Sequence, residues 1–138
     1  MGSKFSVARM RKELAAQTMT SVATSGDTTV GSGLVLSDVA AANLTAAGSD
    51  VNSSVAIVNH VTNVSGTTDT GVKLPNGATS GEVYVLSNVG VQQLKVYATG
   101  SDTINGLAST NGLILSASTG AVAVKAGSTN WAFIYSKV

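Results

Sequence analysis

A chain of 138 residues is long enough to form one domain with a hydrophobic core. Hydrophobic residues make up 43% of it and charged residues only 11%, which is too apolar for a disordered chain and leaves room for the small polar residues of turns and strands. Cysteine is absent, and this excludes disulfides and thiolate metal sites.

The N-terminal residues 1–20 have the pattern of a short amphipathic helix. Val7, Met10 and Leu14 recur at helical spacing among good helix formers. The segment also carries the basic residues Lys4, Arg9, Arg11 and Lys12. A helix of about three turns is too short to be stable alone, so we expect this basic arm to pack on its own domain or on a neighbouring subunit. Four basic residues are a weak signal for nucleic-acid binding, and a nucleic-acid partner is not expected.

Residues 21–50 mix alanine, serine and threonine with four glycines. Ser37 and Asp38 could cap a turn of helix through Val39 to Leu44, but alanine alone favours that interpretation. We predict a connector with little regular structure. No stretch of the chain approaches the roughly 18 apolar residues of a membrane helix, and no membrane partner is expected.

Residues 51–138 have the pattern of a β domain. Seven short segments rich in valine and other strand formers are separated by Gly, Asn and Ser turns; they cover residues 55–64, 71–75, 82–88, 93–99, 113–118, 121–127 and 131–138. No long helical pattern lies between them. The predicted fold is therefore mainly β, an antiparallel β-sandwich or barrel (jelly-roll-like) with a short N-terminal helical arm.

Two turns in this region are expected to need glycine. Gly90 follows the strand at 82–88, and Gly106 ends the stretch GSDTING. Both glycines are predicted to adopt backbone angles that other residues resist.

Residues with catalytic or metal-binding chemistry are few. His60 is the single histidine and lies within a predicted strand, so neither a nucleophilic triad nor a zinc site can be assembled around it within one protomer. Asp102 and Asn105 could offer oxygen ligands to calcium, but the spacing of a calcium loop is absent and a turn is the better interpretation. We expect no enzyme activity, no cofactor and no metal site.

Aromatic and apolar strand faces carry the remaining signal. Trp131, Phe133 and Tyr135 alternate onto one face, which favours the core or an oligomer interface over a sugar-stacking platform. The segments AVAVKAG and WAFIYSKV place alanine or isoleucine where a solvated strand face would carry charge. These strand faces predict self-association of the β domains.

The stretch GVKLPNGATSGEVYVLSNVGVQQLKVYATGSDTINGLAST, followed by LILSASTGAVAVKAGSTNWAFI, resembles a segment common in the virion proteins of tailed bacteriophages. The matching residues are Gly71 to Pro75, Gly81, Asn88, Gly90, Leu94 to Tyr97, Asp102 to Gly106 and Trp131. The chain departs from the family pattern at Ala98, where proline is frequent, and in TGSDTING, which is one residue longer than usual. The resemblance covers about residues 55–135.

The resemblance implies a structural protein of the phage capsid surface. It implies a decoration (cement) protein or head fibre that forms a homotrimer and binds the major capsid protein. In that role the arm, through Lys4, Arg9, Arg11 and Lys12, would anchor the protein to the shell. A tail fibre or receptor-binding module that recognises host surface carbohydrate is the alternative.

Overall fold

In the computed structural model of the protein, residues 42–135 are described, and they form two β-sheets with a shared core. The larger sheet contains, in spatial order, β1 (Ala42–Thr45), β3 (Val61–Ser65), β5 (Val83–Asn88), β10 (Gly120–Lys125), β11 (Asn130–Tyr135), β7 (Thr103–Ile104) and β8 (Leu107–Ala108). The smaller sheet contains β2 (Val55–Ala56), β4 (Gly71–Lys73), β6 (Leu94–Tyr97) and β9 (Leu113–Leu115).

The first six strands wind between the two sheets. Strands β1, β3 and β5 pair in parallel in the larger sheet, and β2, β4 and β6 pair in parallel in the smaller one. Parallel neighbours cannot be joined by a tight hairpin and need a crossover. Here each crossover is a strand of the opposite sheet. The result is a β-solenoid of about four turns.

The last strands close the solenoid in antiparallel fashion. β9 pairs with β6, and β10 pairs with both β5 and β11. The hairpin of β7 and β8 then extends the larger sheet, because β7 lies parallel to the start of β11. These strands place β10 in the centre of the larger sheet.

The predicted antiparallel sandwich or barrel is therefore wrong, although the mainly β character is confirmed. Alternation and turn residues locate strands, but they do not identify the partner of each strand. Hairpins were inferred because helical crossovers were missing, whereas this chain makes its crossovers from strands. The predicted helical arm at residues 1–20 lies outside the described residues, and residues 42–135 contain no helix.

Two segments differ from their predicted structure. The predicted strand at 55–64 is divided, because the chain leaves the smaller sheet after Ala56 and enters the larger sheet at Val61. In the corner between them, the Thr62 hydroxyl donates a hydrogen bond to the Asn59 carbonyl over 3.0 Å. Strand β1 lies within the predicted connector, and its first residues occupy part of the helical turn that Val39 to Leu44 could have formed.

The core lies between the two sheets. Inward positions alternate with outward ones along β5 and β10, so that Leu86 and Ala123 are fully buried while their neighbours in the strand are not. The largest fully buried apolar side chains of this core are Ile57, Leu74, Leu86, Leu94, Ile104, Leu115 and Trp131. This packing fixes which side of the larger sheet faces outward.

Candidate interaction surface

The outer side of the larger sheet is an apolar surface. We call it the valine face, and it consists of Val61, Val83, Val85, Val122, Val124, Ala132 and Ile134. Ile134 is 68% exposed, Val83 41% and Val85 37%, and the other members are partly buried by their neighbours. Large aliphatic side chains that line up across four strands differ from the isolated exposed residues found on most proteins.

Strand register arranges the valine face in two rows. Val61, Val85, Val122 and Ile134 are consecutive cross-strand partners and form the first row. Val83, Val124 and Ala132 form the second row in the same way. Directly opposed β-branched side chains pack well across strands, so the rows stabilise the sheet as well as presenting a flat apolar surface.

No charged side chain belongs to the valine face. Beside the first row lies a polar row in which Asn63 pairs with both Asn43 and Ser87. The smaller sheet is different, because its outward positions carry Lys73 and Lys95. Only one side of the solenoid therefore has the alternation of apolar and charged residues that is typical of a solvated sheet.

The charged residue of β10 points inward, away from the valine face. Lys125 is 3% exposed, and its ammonium group contacts the Asp102 carboxylate in a buried ion pair. The Trp131 indole N–H donates a hydrogen bond of 3.0 Å to the same carboxylate oxygen, and the Lys125 ammonium lies 5.2 Å from the centre of the Trp131 ring. This cluster ties β10, β11 and the turn before β7 together beneath the surface.

The two candidate calcium ligands have other partners. Asp102 is engaged by Lys125 and Trp131. The Asn105 side-chain amide donates to the Phe133 carbonyl over 2.8 Å and accepts from the Phe133 N–H over 2.9 Å. It therefore makes the two backbone hydrogen bonds to β11 that a residue of a neighbouring strand would make. Within residues 42–135, no group of three or more His, Asp or Glu side chains is placed to hold a metal ion.

Asn88 fixes the corner at the end of β5. Its side chain is fully buried, and its amide N–H groups donate to the carbonyls of Gln92 and Ser116 over 2.8 and 3.0 Å. The side-chain oxygen accepts the Gly90 N–H over 3.0 Å. One asparagine therefore satisfies the backbone of its own turn and links it to the chain after β9.

His60 lies immediately before β3. Its ring stacks on Tyr84 with 4.5 Å between ring centres, and its Nδ1 atom lies 2.8 Å from the Val83 carbonyl oxygen. The Tyr84 hydroxyl donates to Glu82 over 2.8 Å. Burial and this carboxylate raise the pKa of Tyr84 to about 12, whereas the Thr79 N–H and Tyr84 hydrogen bonds lower the pKa of Glu82.

The aromatic stripe predicted at the C-terminal strand is part of the core. Trp131 and Phe133 are 1% and 4% exposed, and Tyr135 is partly buried against them. An indole buried to this degree cannot stack on a sugar. The four basic residues of the arm, Lys4, Arg9, Arg11 and Lys12, lie outside the described residues.

The two turn glycines differ. Gly106 has a φ of +83° and follows Asn105, whose φ is +49°. Gly90 is not among the glycines with positive φ. The prediction that Gly90 adopts a backbone angle that other residues resist is therefore wrong. A Cβ atom at Gly90 would instead lie 3.3 Å from the Asn88 side-chain oxygen.

The sequence contained a signal for most of the valine face. The sequence pattern of β11 predicts that its outward isoleucine and alanine belong to an association surface, but the pattern of β5 does not predict this for its valines. In EVYVLSN, Val83 and Val85 alternate with Tyr84 and Leu86, and the alternation does not show which of the two apolar sets is buried. The Asp102–Lys125 pair left no local signal, because its partners are 23 residues apart.

A shallow cleft of about 350 Å³ lies beside the valine face, between the β7–β8 turn and the start of β11, with Thr103, Asn105 and Asn130 on its wall.

Residues 42–135 include no helix with the length and hydropathy needed to span a membrane. No protein family model, curated protein or solved structure matches the chain.

Proposed function

We propose that the protein is a structural component of a bacteriophage virion that decorates or stabilises the capsid. In this role it is a homotrimer on the capsid surface, and its basic N-terminal arm binds the major capsid protein. The observation that carries the proposal is the charge-free valine face on one side of a β-solenoid, because such a surface is suited to permanent contact with protein and poorly suited to water.

The residues that resemble phage virion proteins have structural tasks in this chain. Asn88 fixes a corner, Asp102 forms the buried ion pair, and Asn105 extends the sheet beside β11. Tyr97 is buried, and its hydroxyl donates to the Ser49 carbonyl over 2.7 Å. Because the residues of this motif maintain the fold, the resemblance supports a fold shared with the phage virion proteins. A decoration protein acts by binding, for which a stable fold is required.

Deletion of residues 1–20 tests the anchoring role. We expect the truncated protein to lose binding to capsids that lack the decoration protein, since the arm supplies the basic contact with the shell. A full-length control with the four basic residues changed to glutamine separates charge from chain length. Circular dichroism of both variants establishes that the solenoid is folded. Full capsid binding by the truncated protein would contradict the proposal.

The alternative is a tail fibre or receptor-binding module that recognises host surface carbohydrate. Trp131 and Phe133 are buried in the core, so they do not supply a sugar-stacking surface for it. A saccharide array with the full-length protein distinguishes the two functions. Specific glycan binding together with no binding to capsids would favour the tail-fibre module.

A further inference from the structure

We propose that copies of this chain meet through the valine face. The proposal deepens the proposed function by assigning the contact surface, and only the number of three copies rests on that function. It is carried by the two rows of apolar residues on β3, β5, β10 and β11, which are outward-facing and free of charge.

Charge complementarity selects a second copy as the occupant. A partner with an acidic or basic surface would find no counter-charge on the valine face, and its own charges would lose water without compensation. In the chain's own N-terminal segment, residues 1–14 carry a net charge of +3, and charges that faced the valine face would lose water in the same way. A monomer in which the apolar side of this segment covers the face is an outcome of the test below. A second valine face brings only aliphatic groups and is complementary to the first.

The size of the face indicates more than one neighbour. Four strands about 4.8 Å apart and two rows about 6.6 Å apart give an apolar area of roughly 250 Å² per protomer. Two such faces alone would bury roughly 500 Å², well below the roughly 1,200 Å² at which stable specific interfaces begin. A closed ring, in which each copy meets two others and adds contacts at its flanks, can reach that size.

Val122 lies at the centre of the proposed contact. It is paired with Val85 on one side and with Ile134 on the other, in the middle of the first row. When the apolar sheet faces of neighbouring copies pack together, such central side chains interdigitate and lose contact with water. A charge placed in this row should therefore prevent association, while a charge on another exposed valine should not.

Sedimentation equilibrium on the full-length protein tests the inference. At micromolar concentration we expect a mass that is a multiple of the 13.7 kDa chain, with three as the expected multiple. Val85→Lys and Ile134→Lys should each shift the mass to that of one chain. Val91→Lys is the matched control, since Val91 is 86% exposed and lies in the turn after β5, outside the valine face. Its oligomer should be unchanged.

Milder substitutions guard against misfolding. Val85→Thr and Ile134→Thr keep a β-branched side chain, and they should weaken self-association at least tenfold while the circular dichroism spectrum stays the same. A wild-type monomer would overturn the inference. So would an oligomer that survives both lysine substitutions in folded protein. A wild-type monomer that Ile134→Lys destabilises would show that the chain's own residues cover the face.

Capsid binding is measured separately on the same variants. An oligomer that depends on the valine face but does not bind capsids would support this inference and contradict the proposed function. A monomer that binds capsids fully would contradict this inference and support only the capsid-binding part of the proposed function.

Discussion

The Asp102–Lys125 pair is the single place in the described chain where two opposite charges are buried together beneath the sheet. A buried pair offers little net stabilisation compared with apolar residues of the same size, but removal of one partner leaves the other charge without compensation. Its value to this protein is positional, because it holds β10 and β11 against the turn that carries Asp102. Their outward residues form the centre of the valine face.

We therefore expect Lys125→Met to lower the free energy of unfolding by about 3 kcal/mol or more. Asp102→Asn should have a similar effect, although the asparagine can still accept the Trp131 N–H. The double variant Asp102→Asn/Lys125→Met should be more stable than either single variant, because no charge is then buried. Urea unfolding followed by Trp131 fluorescence measures all three. Additive losses in the double variant would show that the two charges are not coupled.

Tyr84 makes stability depend on pH in the alkaline range. Its pKa in the folded protein is raised to about 12 from an ordinary value of 10.0, so the folded state holds the hydroxyl proton more tightly than the unfolded state does. The stabilising contribution is therefore complete below pH 10 and is lost as the pH rises towards 12. Tyr84→Phe should remove this part of the decline. Identical alkaline profiles of the two proteins in urea unfolding would contradict the assignment.

The β7–β8 hairpin shows what a glycine contributes at the scale of one element. Asn105 and Gly106 are its two turn residues, and both have positive φ, as the tight turns that match strand twist require. A Cβ atom at Gly106 would meet nothing within 4 Å, so the cost of a side chain there is conformational rather than steric.

We expect Gly106→Val to lower the free energy of unfolding by about 1 kcal/mol or more, because valine resists positive φ. Gly127→Val is the matched control, since Gly127 also has open space around its Cβ position but does not have positive φ. Thermal unfolding compares the two variants. An equal loss in both would show that the backbone angle at Gly106 is not the cause.

The sequence predicts strands and turns where a few neighbouring residues determine them, but it does not predict which strands pair. The Asn-Gly turn and the alternation of β5, β6 and β10 can be read from a few neighbouring residues. The pairing of Val61 with Val85 joins residues 24 positions apart, and no local pattern specifies it. The corner at Asn59 was missed because valines continue on both sides of it and conceal the change of sheet.

On the scale of the whole molecule, the outward lysines of residues 42–135 and the valine face lie on different sheets. The basic residues of the arm precede residue 42, and the outward lysines of the described part are on the smaller sheet. Of these, Lys95 lies 3.4 Å from the Asp69 carboxylate, and Lys73 donates to the Val51 carbonyl over 3.2 Å. Binding to the shell and binding between copies would then use different physical interactions, and salt distinguishes them.

We expect self-association to be nearly independent of salt between about 50 and 500 mM, because the valine face contains no charge to be screened. Capsid binding through the arm should weaken several-fold over the same range, since it depends on four basic residues. Self-association should also show a negative heat-capacity change, the signature of buried apolar surface. Sedimentation at each salt concentration and dilution calorimetry at several temperatures measure these effects. Dissociation of the oligomer by salt alone would place charged groups in the contact and contradict its assignment to the valine face.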